Sequence, residues 1–194
     1  MAEHIHRGAM PPKNIRFEDK KVEAIFPCNV WSAFPLEIDN DAIIDDCYAV
    51  RDDNLLENVQ RSNVGGWQSE VRVLTDIIFR NEARHIFDVG CRVVEFANEC
   101  SRDMGSEAYY DIENAHLWVN INSTNNYNVL HSHPKTDLVA VYYPIHEEGM
   151  GELCLVRHDA SIFLDTFRGV LDSTAYDVEL ESGLLVIFPA HLLH

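Results

Sequence analysis

The hydrophobic pattern of this chain changes its period near residue 107, and this change limits the folds that the chain can adopt. Between residues 81 and 101, apolar side chains recur at the three- and four-residue spacing of one helix face. After residue 107, apolar and polar residues alternate, as in strands with one buried face. Gly, Pro, Asp and Ser residues separate these short segments and are typical of turns. The pattern therefore predicts helices first and a β-rich sandwich or barrel after them.

Other elements follow from the same reasoning. A first strand is predicted over residues 22–31 and a short helix over residues 39–50. Within this helix, Asp45 and Asp46 are interpreted as part of its solvated surface. Gly90 falls inside the main helix, where it costs about 1 kcal/mol relative to Ala. Val129, His131 and His133 are expected on one face of a strand. Later strands are predicted over residues 117–121, 138–143, 152–157, 176–180 and 184–188.

Composition indicates one acidic globular domain. The chain has 194 residues, of which 46% are hydrophobic and 24% charged, enough for one core. Residues 1–21 lack an apolar period and are expected to be a flexible N-terminal arm, with one domain over residues 22–194. The net charge of −17 repels phosphate backbones and anionic lipids, so nucleic acid and membrane surfaces are not expected partners.

The cysteines and the hydropathy pattern indicate a cytoplasmic protein. The five cysteines show no C-x-x-C spacing, and the chain begins without an apolar signal-like segment. We therefore expect reduced thiols. No apolar run approaches the 18 or so residues of a membrane-spanning helix.

The most informative motif is a pair of histidines, His131 and His133, in a segment with strand character. In a strand, residues i and i+2 point to the same face about 6 to 7 Å apart, so two imidazoles can bind one metal ion. Two histidines near a strand end can equally make ordinary hydrogen bonds. A metal site therefore requires a third ligand from a distant part of the chain.

Two histidines near the end of the given sequence are candidates for that third ligand. A buried apolar strand leads through Pro189 towards His191 and His194. A histidine just beyond such a strand lies on a rigid element, as a metal ligand should. Of the two, His194 is the stronger candidate.

These motifs, taken in order, resemble a known family. They are Trp118-Val-Asn-Ile-Asn122, Tyr127-Asn-x-x-His131-x-His133-Pro134, Val141-Tyr-Tyr143, Gly151-x-Leu153 and Gly183-x-Leu-x-x-Phe188-Pro189-x-x-Leu192-x-His194. Their order and spacing are similar to a bacterial and phage branch of the 2-oxoglutarate and Fe(II)-dependent oxygenase superfamily. The upstream segment Ser62-Asn-x-Gly65-Gly66-Trp67-Gln68-Ser69 is similar to the same branch.

The resemblance implies a double-stranded β-helix of the jelly-roll or cupin type, with flanking N-terminal helices and a metal at one mouth. It implies an enzyme, an Fe(II)- and 2-oxoglutarate-dependent dioxygenase, with His131, His133 and His194 as metal ligands and catalytic residues. Asn120, Asn122, Tyr127 and Tyr143 are candidate co-substrate contacts, because polar side chains inside a barrel need partners.

One position departs from the pattern of the superfamily, whose metal is usually held by two histidines and one carboxylate. His133 stands where the carboxylate is expected. Either the site has three histidines, or a carboxylate enters from elsewhere, with Asp137 the nearest candidate.

The far carboxylate of 2-oxoglutarate also needs a cation, normally Arg or Lys. After residue 109 the chain has only Lys135, Arg157 and Arg168. We therefore expect the natural protein to extend about 15 to 25 residues beyond His194, a strand or two, and to carry that cation there. The alternative is that the protein does not use 2-oxoglutarate.

Three other functions remain open at this stage. A three-histidine, cupin-like metal enzyme would keep the barrel without the 2-oxo acid, and a binding protein with a degenerate metal site would suit the acidic charge. A zinc isopeptidase of the H-S-H type is disfavoured, because Val141 and Pro144 occupy the positions of its Ser and Asp. The primary substrate, a small molecule or a peptide, is not identified, and a homodimer is the assembly hypothesis.

Overall fold

The computed structural model of the protein describes residues 28–156 and 175–194. The predicted N-terminal arm, and residues 22–27 of the predicted first strand, lie outside this range. The described part contains the helices α1 (Asn40–Asp52), α2 (Ile77–Asn81) and α3 (Arg84–Asp103). Its strands are β1 (Trp31–Ala33), β2 (Asn63–Val64), β3 (Trp67–Gln68), β4 (Arg72–Val73), β5 (His116–Leu117), β6 (Asn120–Ile121), β7 (Tyr127–Asn128), β8 (Leu138–Tyr143), β9 (Leu153–Val156), β10 (Ala175–Val178) and β11 (Leu184–Pro189).

The two predicted helices are confirmed, and their ends show why they form. Asp39 caps α1 by accepting a hydrogen bond from the backbone N–H of Ala42 at 3.1 Å. The first residues of α3 have no cap of their own, because Ala83 at the N-cap makes no side-chain hydrogen bond. Asp46 of α1 replaces that cap, since its Oδ2 accepts from the backbone N–H of His85 at 2.7 Å. The interpretation of Asp46 as a solvated residue is therefore wrong.

Gly90 allows α3 to approach the chain that enters α2. The side chain of Leu74 occupies the place where a Cβ at Gly90 would lie, and Leu74 is almost fully buried. The close packing of Leu74 compensates for the poor helix propensity of glycine at this position.

A long antiparallel ribbon joins residues 63–73 to residues 116–128 through the pairs β2–β7, β3–β6 and β4–β5. Gly65 and Gly66 both have positive φ angles, 72° and 69°, between the first two pairs, and bend this ribbon. Val119 and Ile121 pack into the helical core. Since side chains alternate, Trp118 and Asn120 belong to the opposite face.

The main sheet has the strand order β1-β11-β8, and both of its pairings are antiparallel. One face of the central strand β11 packs on α3, where Leu185 and Ile187 meet Cys100. The other face, with Val186 and Phe188, packs against the antiparallel pair β9–β10. Helix α3, the main sheet and the β9–β10 pair therefore form three successive layers.

The β-rich prediction is confirmed in its coarser form, since the described strands all pair in antiparallel fashion. Strands β8, β9, β10 and β11 agree with the predicted segments to within one or two residues. Within the described part of the predicted first strand, residues 28–30 are not in a strand and β1 begins at Trp31. The described strands do not close into a barrel. Within the described ranges, no helix has the length and apolar character needed to cross a bilayer.

Candidate metal centre

Three histidines from two distant segments meet at one end of the main sheet. His131, His133 and His194 each offer one ring nitrogen as a ligand atom, and these three atoms lie within 4.8 Å of one another. The ring centroids are 4.4 Å apart for His131 and His194, 5.0 Å for His131 and His133, and 5.1 Å for His133 and His194. The separation of the three nitrogens suits three ligands of one metal ion.

Backbone hydrogen bonds hold the two segments in register. His131 and His194 exchange both of their backbone hydrogen bonds, with N–O distances of 3.1 and 3.0 Å. The backbone N–H of His133 donates to the carbonyl of Ala190 at 3.0 Å. Strand β11 is central and buried, so it holds the start of the segment that follows Pro189 in a fixed position. The positions of the rings therefore depend on the sheet and not on a free loop.

The hydrogen bonds of two of the rings determine which nitrogen is available. Nδ1 of His131 lies 2.9 Å from the carbonyl oxygen of Val129, and Nδ1 of His194 lies 3.2 Å from that of Leu192. A carbonyl oxygen can only accept, so both Nδ1 atoms carry the proton and both Nε2 atoms keep a lone pair. The Nε2 of His133 is buried without a hydrogen-bond partner among the described residues. A metal ion would satisfy this atom.

Burial keeps two of the three rings uncharged. The pKa of His194 is lowered to about 4, mainly by desolvation and also by the neighbouring His131 and His133, against the opposing effect of the hydrogen bond to Leu192. The pKa of His133 is also lowered, mainly by desolvation and secondly by His131. At neutral pH these two imidazoles are neutral and need to lose no proton to bind a metal.

Aromatic side chains surround the cluster. The ring of Trp118 lies 5.4 Å from that of His133, and the ring of Phe188 lies 4.9 Å from that of His194. Both limit the access of water to the imidazoles. The contact between Trp118 and His133 joins two segments of the chain and appears only in the structure.

Ser62 is a neighbour of the cluster that the sequence did not reveal as such. Its Oγ lies 3.4 Å from Nε2 of His131. The only signal was its place at the start of the upstream segment that carries part of the family resemblance. The two segments are 69 residues apart in sequence, so no local pattern links them.

The four candidate co-substrate residues are more dispersed than the histidines. Asn120 and Asn122 are exposed, and Tyr127 is 57% exposed. Tyr143 is half-buried at the opposite end of β8 from the histidines, and burial raises its pKa to about 12. Among the described residues, no hydrogen bond or ring contact joins these four side chains to the three clustered histidines, and their role remains a prediction.

No carboxylate joins the cluster among the described residues. Asp137 has an exposed side chain, and its backbone carbonyl accepts a hydrogen bond from Ala190. A cavity of about 180 Å³ lies elsewhere, between residues 58 and 66, and the histidines do not line it. The cluster is therefore a set of three imidazoles close to the surface.

A comparison with protein families gives one match. Residues 116–194 match the family described as "Putative 2OG-Fe(II) oxygenase". All three clustered histidines fall within this segment. No curated protein matches the chain.

Proposed function

We propose that this protein is a non-haem Fe(II)- and 2-oxoglutarate-dependent dioxygenase that hydroxylates an organic substrate, because residues 116–194 match the family described as "Putative 2OG-Fe(II) oxygenase". The observation that carries the proposal is the cluster of His131, His133 and His194 inside the matched segment. Three protein ligands on one side of an ion are common to Fe(II)-dependent oxygenases, although here a third histidine stands in place of the usual carboxylate, and the family match indicates the reaction type.

The donor set suits Fe(II). Neutral imidazoles bind divalent iron well, and three ligands on one side leave coordination positions for other molecules. The lone pairs on Nε2 of His131 and His194, together with the unpartnered Nε2 of His133, provide the three donors. The hydrogen bond from Nδ1 of His131 and of His194 to a backbone carbonyl orients each ring and raises the basicity of its Nε2.

Iron with 2-oxoglutarate supplies the oxidation: O₂ gives one oxygen atom to the substrate C–H bond and the other to succinate, with release of CO₂. The protein's own residues bind the metal ion and shield it from water. The histidines hold the ion on the edge of a rigid sheet, while Trp118 and Phe188 restrict water at two of the rings.

We further propose the finer features that the resemblance implies. The main sheet and the β9–β10 pair would be two walls of a double-stranded β-helix. Asn120, Asn122, Tyr127 and Tyr143 would contact the co-substrate. Tyr143 packs against the inner face between these two walls, at the end of β8 away from the histidines.

The test is an anaerobic titration of the protein with Fe(II) and 2-oxoglutarate, followed by admission of O₂. A weak visible charge-transfer band is expected before O₂, and succinate afterwards. His131→Ala should abolish both signals, whereas His191→Ala, at an exposed histidine of the same segment, should leave both. Absence of the band and of succinate in the wild-type protein would refute the proposal.

A second candidate is a cupin-like three-histidine enzyme that does not use 2-oxoglutarate. It is favoured by the absence of a carboxylate from the described cluster, and by the scarcity of cations. Lys135 is the one Lys or Arg that the structure describes after residue 109, and it is exposed. Binding of about one iron per chain without succinate formation would favour this enzyme.

The remaining expectations on partners are also proposals. The substrate is a small molecule or a peptide, and the acidic charge of the chain disfavours nucleic acid and membrane surfaces. We propose a cytoplasmic location, since Cys47, Cys91, Cys100 and Cys154 form no disulfide. A homodimer is the assembly proposed, and light scattering at several concentrations tests it.

A further inference from the structure

Ser62 belongs to a compact hydrogen-bond network with the segment that carries His131. The backbone N–H of Val129 donates to the carbonyl of Ser62 at 2.9 Å. Nδ2 of Asn128 lies 3.1 Å from Ser62 Oγ, and Nδ1 of His131 lies 2.9 Å from the carbonyl of Val129. The fourth contact joins Ser62 Oγ to Nε2 of His131 at 3.4 Å. The network connects the ribbon to the candidate metal centre.

Each contact in this network has one chemically consistent direction. The carbonyl of Val129 can only accept, so the proton of the neutral His131 ring is on Nδ1 and the lone pair is on Nε2. The amide nitrogen of Asn128 can only donate, so Ser62 Oγ accepts from it. The hydroxyl proton of Ser62 therefore points to the lone pair of His131 Nε2.

We propose that Ser62 is a positioning residue of the metal centre, whose hydroxyl donates to His131 Nε2 and must be displaced when a divalent ion binds there. The inference rests on the proposed metal site. A hydrogen-bond donor and a metal ion approach the same lone pair along the same direction, so they exclude one another. Serine has three staggered rotamers, and its hydroxyl can leave without a backbone shift.

Displacement of this hydroxyl has a measurable consequence. The hydroxyl orients the ring while no ion is present, and its hydrogen bond is lost on metal binding, which lowers the affinity for the ion. Since the bond is long, we expect Ser62→Ala to bind the ion about two- to fivefold more tightly than the wild type. Ser62→Thr keeps a hydroxyl and should restore the affinity of the wild type.

The experiment uses Co(II) titrated into the metal-free full chain and followed by visible absorption, together with ring ¹⁵N spectra of the metal-free protein. The matched control is Ser182→Ala. Ser182 Oγ accepts a hydrogen bond from the backbone N–H of a histidine, His146, at 2.8 Å, and His146 is not part of the cluster. In Ser62→Ala, the Nε2 signal of His131 should move towards that of a nitrogen that accepts no hydrogen bond, with Nδ1 still protonated. Neither Ser182→Ala nor Ser62→Thr should show these changes.

The outcomes separate this inference from the proposed function. If the wild type binds Co(II) and Ser62→Ala binds it equally or more weakly, the role of Ser62 is refuted and the metal site stands. If the Nε2 signal of His131 is unchanged in Ser62→Ala, the hydrogen bond does not exist and the inference also fails. If the wild type binds no Co(II), both the inference and the proposed metal site are refuted.

Discussion

At the scale of single residues, the candidate site depends on which nitrogen of each imidazole keeps a lone pair for a metal ion. The backbone carbonyls of Val129 and Leu192 select the tautomer of His131 and of His194. Burial then opposes protonation, most strongly at His194. These effects prepare the site for a cation at neutral pH, and they also make the metal-free protein sensitive to acid.

The first prediction concerns this acid sensitivity. The pKa of His194 falls from 6.5 in the unfolded chain to about 4 in the folded protein. Between these pH values the unfolded state binds more protons, so the free energy of unfolding should fall as the pH falls through this window and should be unaffected above it. Urea denaturation of the metal-free protein from pH 7.5 to pH 4 measures this loss.

The matched comparison is His194→Gln, which lacks the titrating ring. Its free energy of unfolding should depend less on pH than that of the wild type over the same window, because carboxylates titrate equally in both proteins. Equal slopes for the two proteins would show that His194 is not protected from protonation.

At the scale of elements, α3 is the support on which the main sheet rests. The apolar side chains of α3 contact β11, and others pack with α1 and α2 in the helical core. Two features outside α3 shape it: the side chain of Leu74, which fills the space above Gly90, and the carboxylate of Asp46, which caps its first turn.

The second prediction is that Gly90→Ala destabilises the protein although alanine is the better helix former. The gain in propensity is about 1 kcal/mol, and the overpacking against Leu74 costs about 1 to 3 kcal/mol. We expect a net loss of about 1 kcal/mol in the free energy of unfolding, measured by urea denaturation. In a Leu74→Ala background the same substitution should be stabilising; destabilisation in both backgrounds would contradict the packing argument.

The third prediction concerns the cap that Asp46 provides to α3. Asp46 Oδ2 accepts from the backbone N–H groups of His85 and Ile86 at 2.7 and 3.3 Å. Asp46→Ala should lower the free energy of unfolding by about 1 kcal/mol. The neighbouring Asp45 is exposed, so Asp45→Ala should change it by less than about 0.5 kcal/mol. Similar losses in the two variants would show that the cap is unimportant.

At the scale of the whole molecule, the site is a product of the fold. His131 and His133 belong to one strand-like segment, and His194 follows the central strand of the sheet, so the three rings meet only when these segments pair. An ion that binds the three rings therefore binds the folded state and not the unfolded chain. Metal binding and folding should be linked.

The fourth prediction follows from this linkage. Co(II) at about a hundred times its dissociation constant should stabilise the folded protein by about 2.7 kcal/mol and raise Tm by several degrees. In His133→Ala the affinity should fall at least about tenfold, and most of the shift in Tm should disappear. His191→Ala should keep the full shift. An equal shift in all three proteins would mean that Co(II) binds elsewhere.

The amino-acid sequence by itself determined the features that depend on local pattern. The period of residues 81–101 specified α3, and the apolar alternation specified β8 and β11, because side-chain periodicity is a property of each segment alone. The two-residue strands β2, β3 and β4, and the short helix α2, were not predicted, since so few residues show no period. The spacing of His131 and His133 also indicated a metal site, but the predicted strand around them was wrong, since the structure assigns no strand to residues 129–133.

Only the tertiary structure decided the features that depend on contacts between distant segments. The contact of Ser62 with His131, the pairing of His131 with His194, and the cap from Asp46 to α3 each join residues 39 or more positions apart. No local pattern encodes such contacts, because they depend on how whole elements pack and pair. The tautomers and the lowered pKa values also arise there, since both require the buried neighbours and carbonyl groups that the folded chain places around each ring.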